Sequence, residues 1–146
     1  MNEKKKVAIQ GFAGCFHEQA ARLFYGKGKE LGIVECGTFD GLYESLEQKK
    51  ADAAIMAIEN TVSGGLLPNF ELLRKHDRKI KGEIFLRICQ NLMVMPGQTI
   101  RDIHEVRTHY MAINQTRQFF SNYPHIRLVE SEDTAKSAAD IAAGKI

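Results

Sequence analysis

Ala53-Ala54-Ile55-Met56-Ala57-Ile58-Glu59-Asn60-Thr61-Val62-Ser63-Gly64-Gly65-Leu66-Leu67 is the stretch on which the fold turns. Six apolar residues run without a charge and stop abruptly at Glu59, Asn60 and Thr61. Two glycines then release the chain into a helix-like segment. The apolar run reads as a buried strand over residues 53–58. Its tip delivers a carboxylate, a carboxamide and a hydroxyl, and strand ends followed by glycine-rich turns are where open α/β sheets bind ligands. The same residues also describe a plain strand stop made of turn formers, and spacing alone does not separate the two readings.

Upstream, Val7-Ala8-Ile9-Gln10 reads as a short buried strand stopped by Gly11. A turn at residues 11–14 precedes a helix over 16–25, closed by Gly26 and Gly28. Residues 33–36 form a second strand. Thr38 suits the N-cap of a helix whose Phe39, Leu42, Tyr43 and Leu46 share one face. Residues 66–75 are again helical, with Pro68 near the first turn. Strand and helix thus alternate three times in eighty residues, the pattern of a parallel sheet with crossover helices.

Downstream, an apolar run over residues 84–95 ends at the turn Pro96-Gly97. Residues 106–108 form a short strand leading into a helix from about 109 to 121. Residues 126–129 are another strand, and Asp133 or Thr134 caps an alanine-rich helix reaching residue 143. Gly144 stops that helix, and Lys145-Ile146 reads as the opening of a further strand. An α/β unit that ends there is expected to be a piece of a longer polypeptide.

A length of 146 residues fits one ordinary domain or two small lobes sharing a hinge. With 44% hydrophobic and 26% charged residues, the chain can bury a core and stay in water. The net charge is only +2, and much of the basic excess lies in Lys4-Lys5-Lys6. No basic stripe interleaves with aromatics, so nucleic-acid binding is not expected. Cys15, Cys36 and Cys89 are odd in number, far apart and without a Cys-x-x-Cys, which predicts reduced thiols in a cytoplasm. Met1-Asn2-Glu3 and the lysines resemble a signal n-region. The apolar stretch behind them is too short for export or a membrane span.

Four strand-to-helix junctions carry polar groups: residues 11–18, the Glu59-Asn60-Thr61 tip, Thr108-His109-Tyr110, and Ser131-Glu132-Asp133-Thr134. Helix N-termini expose unpaired N–H groups and positive partial charge, so each junction suits an anion. Several in one small chain point to a ligand bearing carboxylates or phosphate. Gly11-x-x-Gly14 lacks the dinucleotide spacing and no Gly-Lys-Ser/Thr loop occurs, which argues against nucleotides. Cys15 and His17 form a thiol–imidazole pair on paper, but at i, i+2 a small buried cysteine beside a capping histidine fits as well. His76, His104, His109 and His125 have no metal-ligand spacing, so no metal and no cofactor are expected. Gln115 follows Thr108 by two helical turns and sits among Ala112, Thr116 and Phe119, the expected buried face. A solvent-facing glutamine on a slightly rotated helix is the alternative.

Read together, Ile58-Glu59-Asn60-Thr61, Gly82-Glu83, Thr108-His109 followed by Gln115, and Asp133-Thr134-Ala135 resemble the prephenate dehydratase family in order and spacing over nearly the whole chain. The family's Pro-x-Glu-Asn-Ser/Thr signature stands here without its proline. Its Ser-His-Pro and Gln-Cys appear as Thr108-His109-Tyr110 and Gln115-Thr116. Its opening Gly-x-x-Gly-Ser/Thr-Phe/Tyr-Ser appears as Gly11-Phe12-Ala13-Gly14-Cys15-Phe16-His17.

The resemblance implies a two-lobed α/β fold of the type-II periplasmic-binding-protein kind, with lobes at residues 1–80 and 81–146, the second incomplete. It implies conversion of prephenate to phenylpyruvate in L-phenylalanine biosynthesis, in a cleft between the lobes of a cytoplasmic homo-oligomer. By matching positions, Glu59, Asn60 and Thr61 are the catalytic group, with Glu59 orienting its neighbours or acting as an acid if buried. Gly14, Thr108, His109, Gln115, Asp133 and Thr134 are the expected substrate-binding residues. The family's Thr-Arg-Phe motif, to which its proton donor is mainly attributed, does not occur in these 146 residues, so this chain alone is expected to be inactive. A non-catalytic binding module for an anionic ligand is the alternative, since fold does not fix function.

Overall fold

The computed structural model describes residues 4–26, 28–62 and 64–145. Met1-Asn2-Glu3 and Ile146, the second residue of the expected further strand, lie outside them. The chain divides into two compact units, Met1–Arg87 and Ile88–Ile146.

In the first unit β1 (Lys5–Gln10), β2 (Leu31–Cys36) and β3 (Ala53–Ile55) form a parallel sheet in the order β2-β1-β3. Helix α1 (Phe16–Tyr25) joins β1 to β2, and α2 (Phe39–Glu47) joins β2 to β3. Side chains alternate along a strand. Val7 and Ile9 therefore meet Ala21 of α1 on one face, while Ala8 meets Leu42 of α2 on the other. Val7, Ala8 and Ile9 are all 0% exposed, so β1 is enclosed on both faces. The helix boundaries follow local chemistry. The Thr38 hydroxyl accepts the Gly41 N–H at 3.1 Å, as its position predicts. Gly26 ends α1 at φ +97°, a conformation that favours glycine.

The deciding stretch departs from expectation at its end. Only Ala53–Ile55 join the sheet, and residues 56–58 leave it. The polar tip is itself a strand, β4 (Glu59–Asn60), paired antiparallel with β5 (Gly64–Gly65) in the register Glu59↔Gly65 and Asn60↔Gly64. The glycines thus fold back on the tip before α3 (Leu67–Lys75) begins. Gly64 takes φ +73°, a left-handed backbone cheap only for glycine. Hairpin pairing needs both strands at once, which periodicity within a single run does not reveal.

The second unit repeats the strand–helix scheme with β6 (Glu105–Thr108), α4 (Tyr110–Phe120), β7 (Arg127–Glu130) and α5 (Thr134–Ala142), the two strands pairing in parallel. Ile103, Phe120 and Ile126 form its core, flanked by Ile100, Val106, Tyr123 and Leu128. A 3-10 turn, Ile100–Asp102, starts with a capping box between Thr99 and Asp102. Residues 77–95 contain no helix or strand despite the apolar run. The buried face of α4 is Ala112, Ile113 and Phe120, whereas Phe119 is 48% exposed. The helix is rotated from the expected face because Phe120, rather than Phe119, enters the core. At the end of α5, the Lys145 N–H returns to the Asp140 carbonyl at 2.9 Å.

Leu42 is 1% exposed and is the main contribution of α2 to its core cluster. Leu42→Ala should destabilise the chain by about 2–5 kcal/mol through lost burial and a residual cavity. Urea unfolding will read this as a lower midpoint at nearly unchanged slope.

Candidate functional site

Strand order places the first set of polar groups. The chain leaves β1 toward β2 on one side and returns to β3 on the other. The carboxyl ends of β1 and β3 therefore flank a topological switch point, the usual ligand crevice of an open parallel sheet. Residues 11–15 follow β1 there, and residues 56–61 follow β3.

The first loop is tied down by the protein's own acids. The Gly11 N–H bonds the Cys36 carbonyl at 2.9 Å. The Ala13 N–H donates to Glu35 Oε1 at 2.6 Å, and the Gly14 N–H donates to Glu18 Oε2 at 2.7 Å. Glu18 also accepts from Arg22 Nε at 2.7 Å. The Gly14 N–H, helped by Arg22 and opposed by burial, holds the Glu18 carboxyl below its ordinary value. Gly14 is exposed at φ +90°, but its N–H is already engaged.

The tip after β3 is held differently. The Ile58 carbonyl accepts the Leu66 N–H at 2.8 Å, and the Ala57 carbonyl accepts Nδ2 of Asn69 at 2.7 Å. Asn60 is half-buried, and its Oδ1 accepts the Val62 N–H at 2.8 Å, closing an Asx turn. That bond occupies the oxygen of Asn60, and its NH2 group is the donor of the same carboxamide. Glu59 and Thr61 are exposed. Asn69 was not anticipated. The available signal was a carboxamide three residues before Leu72, on the buried side of α3.

In the second unit the N-termini of α4 and α5 lie side by side at the carboxyl ends of β6 and β7. Thr108, 6% exposed, places Oγ1 2.8 Å from Thr134 Oγ1, and the His109 N–H also reaches Thr134 Oγ1 at 3.4 Å. The Ser131 N–H bonds the Thr108 carbonyl at 2.9 Å. His109 caps α4, its Nδ1 accepting the Met111 N–H at 3.3 Å. A neutral imidazole accepting at Nδ1 carries its proton on Nε2, so His109 presents an N–H donor. Asp133 caps α5 by accepting the Lys136 N–H at 2.8 Å. Gln115 is half-buried and accepts from Gln90 Nε2 at 2.8 Å. Thr108, His109, Asp133 and Thr134 thus share one edge, and Gln115 stands further along α4. Nearby cations are matched to acids: Arg107 and Arg127 to Glu105, and Lys136 to Glu132.

Among the described residues no three His, Cys, Asp or Glu side chains group to hold a metal ion, and no helix is long and apolar enough to cross a membrane.

The prephenate dehydratase family model matches residues 7–146. The chain belongs to the prephenate dehydratase family. It is 32% identical over 143 residues to a bifunctional chorismate mutase/prephenate dehydratase of Aquifex aeolicus, covering 97% of this chain and 38% of that protein. The prephenate dehydratase of Arthrobacter aurescens, solved in complex with L-Phe, superposes with a TM-score of 0.70 at 25% identity. That match covers 92% of this chain and 45% of the other. GqqA, described as a novel type of quorum quenching acylase, superposes with a TM-score of 0.75 at 28% identity, covering 92% and 48%. The chain therefore spans well under half the length of the Aquifex relative and about half that of each solved chain.

Two outcomes follow for these family elements. Thr134→Val leaves the buried Thr108 hydroxyl and the His109 N–H without their shared oxygen and should cost about 1–3 kcal/mol, whereas Thr134→Ser keeps the oxygen and should cost less. Thermal unfolding of the two variants side by side checks this. Glu18→Gln should lower stability at neutral pH. Because the folded-state value of Glu18 is lowered, its stabilisation is complete above the ordinary glutamate range and disappears as pH falls through the folded value. The gap between wild type and variant should close on acidification, as measured by urea midpoints across a pH series.

Proposed function

We propose that this chain forms the substrate-binding part of a prephenate dehydratase, converting prephenate to phenylpyruvate, carbon dioxide and water. In this reading the two units are the lobes of a type-II periplasmic-binding-protein-like fold, and the strand-end residues of each are the ones suited to a small dicarboxylate. The polypeptide works in the cytoplasm as a homo-oligomer and needs no cofactor.

The observation that carries the reading is the kind of donor at the strand ends. They are neutral amides and hydroxyls, while the neighbouring cations are matched to the protein's own carboxylates. In the reaction the bond to the departing carboxylate breaks and its electron pair enters the ring. The ring hydroxyl leaves with an added proton as water, and the ring becomes aromatic. A carboxylate that must become neutral carbon dioxide is poorly served by a strong ion pair, which stabilises the ground state more than the transition state. Neutral donors orient it without that penalty. Asn60 Nδ2, the Thr61 hydroxyl, the Thr108–Thr134 pair, His109 Nε2 and Gln115 supply the positioning. Asp133 holds the start of α5, and exposed Glu59 orients the tip.

The test is phenylpyruvate formation by the complete gene product supplied with prephenate, with acylase activity assayed beside it because of the likeness to GqqA. Asn60→Ala should lower kcat/KM by about ten- to a hundredfold, the equivalent of about 1.5–3 kcal/mol for one hydrogen bond to a charged group, and leave the melting temperature nearly unchanged. A folded protein without phenylpyruvate formation, or an Asn60→Ala variant that simply unfolds, overturns the assignment.

A further inference from the structure

We infer that Asn69, through its hydrogen bond to Ala57, is a positioning residue for the Glu59-Asn60-Thr61 tip; this rests on the reading of that tip as a substrate-binding element. Asn69 is 3% exposed on α3, where the same buried face carries Leu72. An uncompensated carboxamide there is unfavourable by several times the net gain of an ordinary hydrogen bond. Its Nδ2 meets the Ala57 carbonyl at 2.7 Å. That carbonyl belongs to residues 56–58, which have left β3; Ile58 still pairs with Leu66 beside the hairpin, while the Ala57 carbonyl takes its donor from the Asn69 side chain of α3.

The consequence is geometric. Leu66 N–H holds Ile58 and Asn69 Nδ2 holds Ala57, so both carbonyls preceding the tip are clamped to the start of α3. Asn69 is itself fixed in the first turn of that helix, its N–H bonding the Leu66 carbonyl at 2.8 Å. The clamp sits two residues before Glu59 and three before Asn60. β4 contributes just two residue pairs to its hairpin, too little to orient Asn60 without support. A hydrophobic residue at position 69 would fill the space and satisfy the helix face, yet it would free the Ala57 carbonyl and let the tip rotate.

The test uses the complete gene product with Asn69→Leu, close in size but lacking the donor, and Asn69→Ser as a milder second variant should the first fail to fold. Hydrogen exchange over residues 56–66 should quicken at least ~10-fold while Lys5–Gln10 is unchanged, since opening becomes local. kcat/KM should fall at least ~10-fold, and in an Asn60→Ala background the same substitution should cost under ~3-fold, because a residue acting through Asn60 is non-additive with it. Unchanged exchange over residues 56–66 overturns the inference. So does quickened exchange with kcat/KM within twofold of wild type, or full additivity with Asn60→Ala. A wild type that forms no phenylpyruvate overturns the catalytic role and the proposed function together, whereas the exchange measurement judges the clamp by itself.

Discussion

The complete enclosure of β1 is the constraint from which the first unit follows. Val7, Ala8 and Ile9 have no contact with water, which requires cover on both faces. One helix cannot provide it. α1 takes the face of Val7 and Ile9, α2 takes that of Ala8, and the chain must cross from one edge of β1 to the other to place them. That crossing creates the switch point at the carboxyl ends of β1 and β3. The switch point is thus a by-product of burying one short apolar strand from two sides.

A strand or helix that ends leaves backbone groups unpaired, and the loops that follow β1 and β6 satisfy them with different chemistry. After β1, the Ala13 and Gly14 amides are taken by Glu35 and Glu18. Carboxylates bind amides strongly and make that loop stiff, at the expense of filling positions that would otherwise attract an anion. After β6 and β7, the work is done by the hydroxyls of Thr108 and Thr134 and the caps His109 and Asp133. A hydroxyl both donates and accepts, so it can turn toward a ligand while keeping a protein partner. In the described conformation the Gly14 N–H is held by a carboxylate, whereas the Thr108 and Thr134 hydroxyls hold one another.

Most element identities were readable from local order. The caps Thr38 and Asp133, the stop at Gly26 and the five expected helices are short-range chemistry, fixed by a few neighbouring residues. The failures lie where partners are distant or competing faces are close in energy. The β4–β5 hairpin needs Glu59 and Gly65 to meet across a turn, and the run 53–58 gives no hint that only its first half joins the sheet. Phe119 and Phe120 are adjacent aromatics on α4, and local periodicity cannot choose which one faces Ile103 and Ile126. Asn69 escaped notice because a polar residue on an amphipathic helix is normally a surface residue, and its burial depends on the Ala57 carbonyl twelve positions away.

The amino-acid order by itself determined the α/β character, the strand-end placement of Asn60, Thr108 and Thr134, and the family, because each depends on residue type at fixed short spacing. The tertiary structure decided which of those groups are already spoken for. Gly14 is closed by Glu18, Thr108 is joined to Thr134 across twenty-six positions, and Asn60 has its oxygen taken by the Val62 N–H. The reason is that a hydrogen bond depends on distance and angle within a few tenths of an ångström. Such precision arises only once packed strands and helices hold both partners in place.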